Sequence, residues 1–156
     1  MSDSKPTAID AASVPPSRAG RGYPEPFAAR VTGRERRVLG DAFGLTSFGV
    51  NLTRLPPGGM SALRHTHTRE DEFIYVIEGE PILMTNAGET QLRPGMCAGF
   101  KAGSGDAHHL LNRSGGDIVY LEVGDRNPAG EISTSGRDSL HLGRLRAHKQ
   151  PLIQGR

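Results

Sequence analysis

Two histidines and a glutamate, His65, His67 and Glu72, fall within a short stretch whose frame from Gly59 to Gly79 reads Gly-x5-His-x-His-x4-Glu-x6-Gly. Imidazole nitrogens and carboxylate oxygens are the donors that hold transition metals, so this cluster points to metal chemistry. Alternate side chains of a β-strand share a face, and the i, i+2 spacing of His65 and His67 lets both rings reach one ion. The polar residues 68–71 read as a loop, after which Glu72 opens an apolar run. Pairing of the two flanking segments would carry its carboxylate to the same centre. Glu70 and Asp71 compete for the acidic position. Glu72 is preferred because alternation sets it on the face of Ile74 and Val76 and because it keeps the spacing to Gly79.

A second cluster lies downstream. Of six histidines in the chain, two more are adjacent, His108 and His109. In a regular strand His108 shares a face with Leu110 and Asn112, and His109 with Leu111 and Arg113, so only one of the pair looks inward. His108 is preferred for its spacing to Asn112. His109 is the alternative, and is otherwise expected at the surface or an interface.

These side chains need a scaffold, and the composition favours strands. The chain has 156 residues, enough for one domain with a core. Its 21 Gly and 11 Pro supply frequent turn signals. Strands are predicted at 37–39, 46–55, 61–67, 72–78, 82–86, 90–92, 96–100, 108–113 and 118–123, and no long segment carries a helical apolar period. The expectation is an all-β fold: a Pro-rich, flexible N-terminal arm over residues 1–30, a barrel over 31–124, and a C-terminal extension over 125–156 that packs on the barrel through Leu140, Leu142 and Leu145. The runs 73–77 and 118–121 are apolar at every position, so both faces are expected to be covered, and a homodimer is one way to cover the outer one.

Net charge is +2, from 19 basic and 17 acidic residues, which gives no field that would draw nucleic acid or an anionic membrane. The first thirty residues do not read as a helix-turn-helix. The single cysteine, Cys97, has no intrachain partner and is expected to be a small buried hydrophobe. Without an apolar leader or a membrane-length segment, a cytoplasmic location is expected. Gly59 and Gly79 are read as turn residues at positive φ. Tyr75 and Glu78 would serve as proton-transfer groups only if they faced inward, and Arg64, Lys101 and Arg113 are candidates for steering an anion.

The frame from Gly59 to Gly79 resembles the first conserved motif of the cupin superfamily at every defined position. Gly95 to Asn112 is similar to its second motif, Gly-x5-Pro-x-Gly-x2-His-x3-Asn, with two departures: Lys101 stands in the place of Pro, and four residues rather than two separate Gly103 from His108. The resemblance covers residues 37–124. It implies a double-stranded β-helix, a jelly-roll barrel, enclosing one divalent transition metal (Fe, Mn, Ni, Zn or Cu) on His65, His67, Glu72 and His108. Binding needs neutral imidazoles, so affinity is expected to fall as pH drops through the histidine range. The family further implies a metal-dependent enzyme, a dioxygenase, isomerase or lyase, acting on a small oxygen-bearing molecule such as a hydroxy or keto acid, a sugar derivative or a phenolic acid. A non-catalytic module that senses a small ligand or metal is the alternative, and no residue here identifies the reaction.

Overall fold

A computed structural model of the protein describes residues 5–18, 27–31, 33–134 and 145–146. Twelve strands are found there: β1 (Ser17–Arg18), β2 (Glu35–Val38), β3 (Phe48–Leu55), β4 (His65–His67), β5 (Glu72–Glu78), β6 (Ile82–Thr85), β7 (Gly88–Gln91), β8 (Cys97–Phe100), β9 (His109–Leu111), β10 (Ile118–Asp125), β11 (Glu131–Thr134) and β12 (Leu145–Arg146). Two single-turn helices, α1 (Phe27–Arg30) and α2 (Leu39–Ala42), and a 3-10 turn at Ala11–Ser13 complete the set. None of these helices is long and apolar enough to cross a membrane.

One wall is a six-stranded antiparallel sheet in the order β1-β2-β3-β10-β5-β8. The other is made of two three-stranded sheets, β12-β11-β4 and β7-β6-β9. Single bridges from Met60 to Leu111 and from His65 to His108 join them into one surface. The core between the walls contains Leu55, Ile74, Val76, Leu83, Leu92, Leu110, Ile118 and Tyr120. Each such side chain contributes about 1.5–3 kcal/mol by leaving water.

The predicted strands appear, with differences that have physical causes. The segment expected to be continuous over 61–67 is a strand only at its end. Five steps from Met60 to His65 oppose three from Leu111 to His108, so two residues are extra and Ser61–Arg64 bow out as a bulge. The Arg64 Nε–H bridges the gap by donating to the Ala107 carbonyl at 3.0 Å. The strand expected at 37–39 starts earlier and gives way to α2, whose Asp41 carboxylate pairs with Arg126. In the Pro-rich arm, Ser17–Arg18 adds an edge strand to β2, and the Arg37 guanidinium donates to the Val14 carbonyl. The extension beyond residue 124 contributes β11, which pairs along β4; Leu140 and Leu142 lie outside the described residues.

Alternation along β5 holds: Ile74 and Val76 are buried, whereas Phe73, Tyr75 and Ile77 are 42%, 41% and 45% exposed. Among the described residues, the outer face expected to be covered is thus open. Cys97 pairs with Tyr75 on that same face and is exposed, not buried as expected.

Candidate metal centre

His65 and His67 project from the same face of β4, with their Nε2 atoms 3.2 Å apart. His108 sits directly opposite His65, each donating its backbone N–H to the other's carbonyl, at 2.8 Å from His108 and 3.2 Å from His65. The register sets the His65 and His108 rings 4.9 Å apart, centroid to centroid. Glu72 comes from the facing wall. Pairing between its strand and that of the histidines, expected from the sequence, does not occur: β4 pairs with β11, and β5 pairs with β10 and β8. As first residue of β5, Glu72 reaches across the interior. Its Oε2 is 2.8 Å from His67 Nε2 and 4.0 Å from His65 Nε2, and its Oε1 is 3.6 Å from His108 Nε2. Donor atoms of His65, His67 and Glu72 all fall within 4.8 Å of one another.

The groups at the far side of the His65 and His67 rings set what each offers the centre. His65 Nδ1 is 2.8 Å from the Leu63 carbonyl, which can only accept, so Nδ1 carries the proton and the Nε2 lone pair points inward. Burial, reinforced by His108 and His67, lowers the His65 pKa to about 4 against the pull of Glu72, so the ring is neutral at physiological pH. His67 has carboxylates at both ends, Glu72 at Nε2 and Glu70 Oε2 at 3.3 Å from Nδ1. Burial opposes its charged form, but the Glu72 hydrogen bond and the two negative charges outweigh burial and raise its pKa. Glu72 is likewise pushed upward by burial, and the imidazoles of His108 and His67 more than reverse this, holding it ionised.

His108 is 4% exposed, and neither ring nitrogen has a hydrogen-bond partner among the described residues. Its orientation comes from Phe100, whose ring stacks on it at 3.5 Å with planes 4° apart. Buried imidazole nitrogens without partners are costly. Together with the inward lone pair of His65 and the ionised Glu72, they make a nitrogen-rich donor set with one carboxylate that suits a divalent transition ion.

The structure brings together His65, His67, Glu72 and His108. It directs His109 elsewhere: that ring is buried rather than at the surface, with Nδ1 3.1 Å from the Ala62 carbonyl. Asp71 accepts from the Ala102 N–H, and Glu70 stands behind His67, so Glu72 alone of the three acids faces the centre. Asn112 is structural. Its Nδ2 donates to the carbonyls of Leu55 and Gly116 at 2.9 and 2.8 Å, and its Oδ1 accepts from Ser114. Gly79 has φ +78°, as expected; Gly59 does not have positive φ and is required instead by space, since a Cβ there would lie 2.8 Å from the Pro56 carbonyl oxygen. Tyr75 and Glu78 are exposed, away from the interior. Arg64 is engaged with Ala107, and Arg113 forms a two-pronged pair with Glu89.

Beside the histidines lies a cavity of 60 Å³ whose lining includes Arg34, Ser61, Phe100, Tyr120 and Glu122. Sequence reading missed all five. Tyr120 and Glu122 were accessible to it, since alternation from buried Ile118 along β10 points both inward; Arg34 comes from a segment with no periodic signal.

The description "Cupin domain" belongs to the sequence family that matches residues 51–124. A solved structure described as a sugar phosphate isomerase from a cupin superfamily, from Silicibacter pomeroyi DSS-3, is 42% identical over 84% of this chain and 83% of that one, with a TM-score of 0.80. The chain belongs to the cupin superfamily, and its two walls form the double-stranded β-helix of that class. A putative sugar phosphate isomerase from Acidithiobacillus ferrooxidans ATCC 23270 is 31% identical over 65% of this chain and 64% of that one, with a TM-score of 0.62. A predicted oxalate decarboxylase from Thermotoga maritima, 21% identical over 77% of this chain and 99% of that one with a TM-score of 0.60, is similar in fold. Comparison with curated proteins gives no match.

Proposed function

We propose that this cupin binds one divalent transition metal through His65, His67, Glu72 and His108 and acts as a metal-dependent enzyme on a small oxygen-bearing molecule. The observation that carries the proposal is the convergence of three imidazoles and one ionised carboxylate from both walls, with the lone pair of His65 aimed inward and both His108 nitrogens unpartnered. A divalent ion held there supplies Lewis acidity toward a substrate oxygen. The chain's own groups do the rest. The Leu63 carbonyl and the Glu70 carboxylate stand behind the rings of His65 and His67, Phe100 stacks on His108, and the apolar core reaches Phe100 beside the site.

Among hydroxy or keto acids, phenolic acids and sugar derivatives, the last is favoured by the two similar structures described as sugar phosphate isomerases. Isomerase chemistry is the corresponding reaction class. The proposal extends to the partner and the setting: a second copy of the chain covers the open outer face of β5, and the protein works in the cytoplasm.

The test is elemental analysis of the purified protein, followed by a screen of hydroxy acids, keto acids and sugar phosphates for turnover with and without dioxygen. One metal per chain and metal-dependent turnover are expected. Replacing His65 and His67 with Ala should abolish metal retention while the β-sheet circular dichroism persists. A folded double variant that still holds a stoichiometric ion overturns the ligand assignment. Tight ligand binding without turnover would identify a sensing module instead.

A further inference from the structure

The cavity beside the histidines carries polar groups that metal binding does not use. Arg34 enters it from the residue preceding β2. One of its terminal nitrogens donates to the Ser61 carbonyl, but its Nε–H is buried and has no partner. Tyr120, on β10, is 1% exposed, and its hydroxyl also lacks a partner. Thr53 is paired with Tyr120 across β3 and β10 and is fully buried, with an unpartnered hydroxyl.

Buried donors gathered in one neighbourhood without a hydrogen bond of normal geometry among the described residues are an unusual concession for a folded interior. Their common feature is that they can donate. Arg34 cannot lose its proton, and burial together with the nearby Glu122 raises the Tyr120 pKa, keeping the phenol an O–H donor. Two carboxylates line the same cavity, and both are engaged: Glu72 by the histidines, with Oε2 2.8 Å from His67 Nε2, and Glu122 through Oε1, which accepts from Asn51 Nδ2 at 3.1 Å and lies 3.9 Å from the Arg36 guanidinium. A cationic group with a neighbouring hydroxyl donor is what an oxyanion requires.

We infer that Arg34 and Tyr120, assisted by Thr53, form an anion subsite that binds an oxyanion of the substrate while another oxygen of the same molecule faces the histidine and Glu72 cluster lining the same cavity. The inference deepens the proposed function by naming the substrate class, small acids bearing an anionic oxygen group, and its second half rests on that reading. At 60 Å³ the cavity admits a group of a few heavy atoms, about the size of a carboxylate or one phosphoryl head. Both share the chemistry the donors recognise.

Malonate and inorganic phosphate are the probes, titrated calorimetrically into wild type, Arg34→Gln and Tyr120→Phe, each metal-free and loaded with Ni(II), with metal content measured in parallel. Wild type should bind at least one of the two anions in both forms. Arg34→Gln should weaken that binding at least tenfold and Tyr120→Phe about threefold or more, with metal content unchanged. Preference for phosphate would identify a phosphoryl source, and preference for malonate a carboxylate. Because Arg34 also ties down Ser61, Tyr120→Phe, which removes one oxygen and little packing, decides the matter if Arg34→Gln does not fold. Equal affinities in wild type and the folded variants, or no binding of either anion by wild type, overturn the subsite. Anion binding that depends on Arg34 in a protein that retains no metal would sink the metal proposal and leave the subsite standing. A retained metal with anion affinity indifferent to Arg34 would do the reverse.

Discussion

At the scale of single residues, the feature that distinguishes this site from a chance group of polar side chains is the support behind each ring. Glu70 is the clearest case. It is 9% exposed, its Oε1 accepts from the Asn127 N–H at 3.1 Å, and its Oε2 faces His67 Nδ1. Gly130 makes room for it, since a Cβ there would stand 2.7 Å from the Glu70 Cδ. A carboxylate 3.3 Å from Nδ1 favours a proton there, which would leave Nε2 as the coordinating nitrogen once a metal displaced the proton it shares with Glu72. Glu70→Gln presents an amide that can donate to Nδ1 and reverse the tautomer. We expect metal affinity to fall about 10–100-fold, measured by competition with a chromophoric chelator; an unchanged affinity would show that Glu70 does not set the ring. The sequence showed Glu70 only as a rival to Glu72. Which acid faces the centre and which stands behind it depends on the course of the loop over 68–71, and spacing does not carry that information.

At the scale of elements, the strands were legible because alternation and turn chemistry are local, as in β5, where Glu72, Ile74 and Val76 point in and Phe73, Tyr75 and Ile77 point out. What was not legible is long-range. Nothing in Glu131-Ile132-Ser133-Thr134 announces a strand that pairs with β4, and the bulge at 61–64 becomes visible only once Met60 and His65 are matched to Leu111 and His108. Arg34 escaped notice for the same reason: its position in the cavity is fixed by how β2 lies against β3. The turn after β9 shows how a local motif acts. Asn112 is 1% exposed and satisfies the carbonyls of Leu55 and Gly116. Asn112→Ala orphans both and should cost about 2–4 kcal/mol, read as a drop in the denaturation midpoint. A change below about 0.5 kcal/mol, the level of an ordinary surface substitution, would mean that water replaces the amide.

For the whole molecule, the uneven covering of the six-stranded sheet is the most consequential fact. Its inner face carries the core, while its outer face presents Phe48, Phe73, Tyr75 and Ile77, each more than 40% exposed. Leu121 and Val123 of β10 pair with Tyr75 and Phe73, and Leu52 and Val50 of β3 continue the row, so these residues form one apolar surface. Contiguous apolar surface of this kind marks an interaction site. A self-complementary face suits a twofold dimer. The double variant Phe73→Asp, Tyr75→Asp should therefore elute as a folded monomer where wild type elutes as a dimer, by size-exclusion chromatography with light scattering. A monomeric wild type would remove the second copy from the proposal.

The strand alignment around β4 also determines when the site can come into being. His65 and His67 hydrogen-bond in register with Thr134 and Ile132, far along the chain, and His65 with His108. A ribosome that has released only the first hundred residues has therefore made Glu72 and two of the imidazoles without the partners that align them. Loop closures of that length are slow compared with forming a hairpin. A metal bound at this site would consequently be taken up only after His108 and the segment 132–134 have joined the sheet, and shorter translation products have no preformed cradle for it.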